Sequence, residues 1–141
     1  MFEYLERKKI ILVYIPLIVY WIALLVGTSL PSVSVPSVAF GDKITHLMAF
    51  LILSILLSLT LLYQNKNELL KSKHTVSAFI IVSIYGALDE IHQGFIPGRS
   101  QDIFDWLADT IGALAGVFLL LYLIRKAGYI TKGFEKQIKA D

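Results

Sequence analysis

No cysteine occurs anywhere in the 141 residues. Disulfides, thiolate metal sites and cysteine nucleophiles are therefore excluded. Charge is also scarce: 17% of residues are Asp, Glu, Lys or Arg, against about 25% in an ordinary soluble domain. Basic runs interleaved with aromatics are missing, so nothing suggests a nucleic-acid partner. None of the apolar runs alternates with period two, which argues against a sheet or a membrane barrel. What remains is apolar. Hydrophobic residues make up 56% of the chain, and the mean hydropathy is +0.68. A soluble fold of this length could not hide so many, because a small domain leaves much of its surface exposed. The expected fold is all-α: one polytopic membrane domain over residues 1–141, built as a compact bundle of four transmembrane helices.

Four segments carry that expectation. Ile10 to Val26 contains no charge. Ile44 to Tyr63 is polar only at Thr45, His46, Ser54, Ser58 and Thr60. Val76 to Leu88 is shorter, and Thr75 extends it. Leu107 to Ile124 is broken only by Asp109 and Thr110. A span needs roughly 20 apolar residues, so the third segment suffices only if it continues through the polar residues after it. Helices are expected near 10–27, 43–63, 75–93 and 104–125. Arg7, Lys8 and Lys9 before the first run resemble the start of a signal peptide, but the run is long for one and no A-x-A-like site follows. A retained helix is the expectation, with Pro16 kinking it.

Loop charge sets the expected direction. The N-terminal segment, the loop after the second run and the C-terminal tail together hold eleven of the thirteen Lys and Arg residues. Lys43 and Arg99 stand alone on the other side. By the positive-inside rule both termini are cytoplasmic, and the loops near 28–43 and 89–106 face outward. The basic tail suits a solvated face near anionic lipid.

The outward side gathers Asp42, His46, Asp89, Glu90, His92, Gln93, Arg99, Asp102, Asp105 and Asp109. Ionisable groups in or beside a span are costly and mark function. A 13-residue helix from Val76 to Leu88 rises only about 20 Å, so Asp89 and Glu90 should lie below the outer membrane edge and face protein or water. Asp42, His46 and Phe50 share one helical stripe. Asp89, His92 and Gln93 share another, and Asp102, Asp105 and Asp109 a third. Asp105 also suits a plain N-cap. Pro97-Gly98 signals a turn. Arg99 suits either an ion pair pinning that turn or a ligand phosphate or carboxylate. Gly112 and Gly116 form Gly-x-x-x-Gly, which permits close helix packing within the chain.

Two blocks carry a family resemblance. The first is Asp42-Lys43-Ile44-Thr45-His46 followed by Phe50. The second runs from Asp89-Glu90-Ile91-His92-Gln93 through Phe95, Pro97 and Arg99 to Asp102, Asp105, Asp109 and Gly112. Together they resemble the VanZ-like family of bacterial integral membrane proteins, over roughly Ile10 to Ile124. Position 109 is often Asn in that family and is Asp here. The family takes its name from a protein that lowers susceptibility to teicoplanin, a lipid-bearing glycopeptide. The resemblance thus implies the bacterial plasma membrane, an envelope role and expected partners among membrane lipids, cell-wall precursors or glycopeptide antibiotics.

Three readings of the polar cluster stay open. In the first, Asp42, His46, Asp89 and Glu90 do chemistry on an envelope lipid or cell-wall precursor, while Gln93, Arg99, Asp102, Asp105 and Asp109 hold it. A divalent metal is compatible with such carboxylates and histidine, although no strong metal spacing is present. In the second, the pocket binds a head group or the antibiotic without chemistry. In the third, the charges only hold the helices together, a poor use for buried ions compared with apolar packing.

Overall fold

The computed structural model describes residues 2–31 and 41–138, with side-chain surroundings for 4–31 and 41–128. The outward loop expected near 28–43 lies largely outside the described residues, as do Lys139 and the side chains of Lys132 and Lys136. Helices occur in the order α1 (Phe2–Arg7), a π-helical turn (Ile10–Tyr14), α2 (Ile15–Thr28), α3 (Gly41–Tyr63), α4 (Glu68–Ser72), α5 (His74–Gln93) and α6 (Ile103–Ile138). Four stretches among the described residues are long and apolar enough to cross a membrane: Ile10–Thr28, Gly41–Tyr63, His74–Gln93 and Ile103–Gly128.

Each expected span is present, with informative differences at the ends. Pro16 lacks an N–H and cannot close the turn before it. The chain answers with the widened π turn at Ile10–Tyr14 and resumes α-helix at Ile15. The third span does continue through its polar end, because Asp89, Glu90 and Gln93 are buried there. The last helix does not stop near 125 but runs to Ile138. Arg125 and Lys126 are good helix formers, and no proline follows them.

The bundle is organised around α3 and α6, which share the largest interface. Gly112 and Gly116 make that contact possible. A Cβ on Gly112 would run into the carbonyl of Leu47, and one on Gly116 into Ser54 Oγ and the carbonyl of Leu51. Their lack of side chains lets the two backbones touch. Leu53, Leu57, Ala78, Val82, Ala113 and Val117 fill the centre. The outer faces stay apolar, with Ile18, Val19, Ile22, Ile84, Ile111 and Phe118 all about half exposed or more. That inversion is what a lipid solvent selects.

The first span is the outlier. Only 11% of it is buried, against 39% for α3 and α6. It is tethered by a few side chains. Tyr14 donates to the carbonyl of Tyr63 at 3.1 Å, and Tyr20 to that of Ala49 at 3.0 Å. Trp21 meets Tyr85 edge-on at 5.2 Å. This loosely packed helix forms one wall of the site.

Candidate functional site

The first turns of α3 and α6 meet the last turn of α5 at one end of the bundle. Lys43 joins two of these elements, reaching Asp102 and Asp105 at 2.7 Å each. This hydrogen bond from Lys43 is the main reason the Asp102 carboxyl is held below the ordinary Asp range. Asp102 also caps α6 by accepting from the Phe104 N–H at 2.9 Å. The capping role suggested for Asp105 thus belongs to Asp102. Asp105 turns inward to Lys43 instead.

His46 lies deeper. Its Nδ1 is 2.9 Å from Asp109 Oδ1, across 63 residues of sequence. Asp109 is wholly buried, and His46 is 7% exposed. When Asp109 is ionised it can only accept, and Nδ1 is then the donor with Nε2 facing away from it. Asp42 Oδ1 approaches that Nε2 at 4.0 Å. Behind the imidazole, Phe50 stacks at 6.5 Å and itself stacks on Tyr85 at 5.8 Å. The Asp42–His46–Phe50 stripe is therefore a graded one: exposed acid, part-shielded base, buried brace.

Asp89 and Glu90 adjoin in sequence but take different partners. Asp89 Oδ2 accepts from Gln93 Nε2 at 2.8 Å. Glu90 Oε2 accepts from the backbone N–H of Asp102 at 2.8 Å. Only Glu90 joins His46: one donor atom each from His46, Glu90 and Asp109 lies within 4.8 Å of the others. Asp42, His46 and Asp105 form a second such trio nearer the surface.

Arg99 makes no carboxylate pair among the described residues. Its Nη1 donates to Gln93 Oε1 at 2.9 Å, and its Nε to the carbonyl of Leu30 at 3.0 Å. Nη2 reaches the carbonyl of Gly27 at 3.4 Å. Gly27 lies in the last turn of α2 and Leu30 two residues past its end; the Gly27 carbonyl also accepts from the Leu30 N–H at 3.4 Å. Of the two readings of Arg99, the ion pair is absent among the described residues, and a clamp on backbone oxygens holds the turn. Gly98, at φ +79°, gives the turn its left-handed residue. The 89–106 segment comprises the last turn of α5, a turn, and the first turn of α6. His92, grouped by spacing with Asp89 and Gln93, meets Ser29 Oγ at 3.1 Å.

These side chains surround a cleft of about 750 Å³. Its polar wall includes Asp42, His46, Gln93, Arg99, Asp102 and Asp105. Its apolar wall includes Ala23, Leu24, Ala49 and Phe50. Asp89, Glu90 and Asp109 stand behind the polar wall. Sequence reasoning missed Lys43 as a structural link, and its signal was its isolation among outward acids. It also missed Gly86, where a Cβ would come within 3.0 Å of Asp109 Oδ2.

Fold and site define a multi-pass membrane protein with a recessed acidic and histidine-bearing cleft. The chain belongs to the VanZ/LLP1 family, whose model matches residues 8–125. No curated protein and no solved structure matches it.

Proposed function

We propose that the cleft takes an amphiphilic envelope lipid or cell-wall precursor and acts on its head group at His46. The carrying observation is the His46–Asp109 contact at the base of a cleft with one polar and one apolar wall. An imidazole held by a buried carboxylate is oriented for proton transfer, and the carboxylate stabilises its charged form. The apolar wall suits an acyl or prenyl chain, while Asp42 and Arg99 suit the head group. The reaction class is hydrolysis or transfer on the lipid. The charge asymmetry of the loops supports a cleft facing outward from the plasma membrane, with cytoplasmic termini.

A second reading is capture without chemistry. It is favoured by the opposite charges of Asp42 and Arg99 around one cleft, which suit a zwitterionic head group or a lipoglycopeptide. Either activity supports lower susceptibility to teicoplanin-type antibiotics. Purified protein incubated with envelope lipids and precursors, followed by mass spectrometry, separates the two. A new product absent from the His46→Gln variant supports chemistry. Retention of an unchanged lipid supports capture. Neither product nor retained lipid overturns both.

A further inference from the structure

We infer that His46, Glu90 and Asp109 form a binding site for one divalent cation of the zinc or manganese type. The inference deepens the proposed function and rests on the cleft being a working site; with the cation bound, His46 serves as a ligand in place of its role as proton carrier. It starts from two oxygens. Glu90 Oε1 and Asp109 Oδ2 are buried and accept no hydrogen bond among the described residues. Asp109 is 0% exposed and Glu90 7%. A buried carboxylate oxygen without a donor is costly, and buried charges are ordinarily paired or bound to metal.

The local cations are committed elsewhere. Lys43 serves Asp102 and Asp105. Arg99 serves Gln93 and the end of α2. Neither reaches Glu90 Oε1 or Asp109 Oδ2, and both oxygens stay without a donor among the described residues.

The donor set is complete enough to answer that deficit. The three residues come from α3, α5 and α6, with one donor atom each inside a 4.8 Å group. Metal bonds of about 2.0–2.2 Å place tetrahedral ligands roughly 3.4 Å apart, so small rotamer shifts close the shell. One imidazole with two carboxylates and no thiolate suits zinc or manganese better than copper(I) or an iron–sulfur cluster. Gly86 packs closely on Asp109: any Cβ there would crowd Oδ2 at 3.0 Å, so the glycine keeps that oxygen unobstructed. Of the three, His46 also lines the cleft, so the trio adjoins it from behind the polar wall.

The test titrates metal-stripped protein in detergent with zinc chloride by calorimetry, without lipid. One zinc per chain is expected, with at least tenfold weaker binding in Glu90→Gln and in Asp109→Asn. His74→Ala should bind as the native chain does, because His74 pairs with Ser58 away from the cleft. X-ray absorption of the zinc-loaded native protein provides a measurement that needs no variant. It should show one imidazole nitrogen with oxygen ligands. No saturable binding, two or more imidazoles, or unchanged affinity in both carboxylate variants overturns the site. Lipid retained by metal-stripped protein that binds no zinc would leave the cleft reading standing and remove the cation alone.

Discussion

His46 and Asp109 are joined at 2.9 Å although 63 residues separate them. The contact exists because α3 and α6 touch backbone to backbone a turn below it, at Leu47 and Gly112. Chemistry and packing are thus coupled through one helix interface. Asp109→Asn keeps the shape but removes the charge that holds the imidazole. If the site converts a lipid, this variant should lose roughly 10²-fold or more in rate while eluting as the native protein does. Product formation by mass spectrometry checks it, and a native rate would remove His46 from the chemistry.

Packing can be tested apart from the site. Gly116→Val forces a side chain against Leu51 and Ser54, with backbone that cannot yield. Overpacking of this kind costs about 1–3 kcal/mol or more. Thermal unfolding in detergent should fall by several degrees, with lost monodispersity on size exclusion. An unchanged transition would mean that the helices separate without cost.

The spans were legible because lipid imposes a simple rule of length and apolarity. Even the short third run read correctly, since Asp89, Glu90 and Gln93 face inward. The polar partners were less legible. Spacing placed Asp102, Asp105 and Asp109 on one face, but only the fold sends the first two to Lys43 and the third to His46. Arg99 misled for a related reason. A lone arginine among acids invites an ion pair, yet Arg99 reaches Gln93 and the carbonyls of Gly27 and Leu30 instead. Sequence patterns report which residues share a face, and helix ends create demands that patterns do not display.

Lys43 should show itself in acid. Its contact lowers the pKa of Asp102 in the folded protein. That stabilisation is present above the ordinary Asp range and is lost as pH falls through the lowered folded value. Lys43→Met should flatten this acid limb of the thermal stability profile. Parallel profiles for variant and native protein would contradict the link.

Arg99 clamps the end of α2 to the turn after α5. Arg99→Gln should speed hydrogen exchange at residues 27–31 and 94–102 by about tenfold, while the centre of α3 stays protected. Uniform acceleration would indicate general unfolding instead.

Orientation has a direct test, because no native cysteine interferes. Phe95 is 80% exposed at the cleft end, and Lys66 lies in the loop at the opposite end. In intact cells, a membrane-impermeant thiol reagent should label Phe95→Cys and spare Lys66→Cys. The reverse pattern would invert the topology.

The sparsely buried first span has a consequence for how a ligand is counted. Ala23, Leu24 and Gly27 belong to that span and form part of the cleft's wall, so one wall is held by few contacts. If the proposed ligand is a lipid, entry past this wall would spare it a passage through water. Its occupancy then follows its mole fraction in the surrounding leaflet, and diluting the membrane with inert lipid should lower occupancy while diluting the suspension should not.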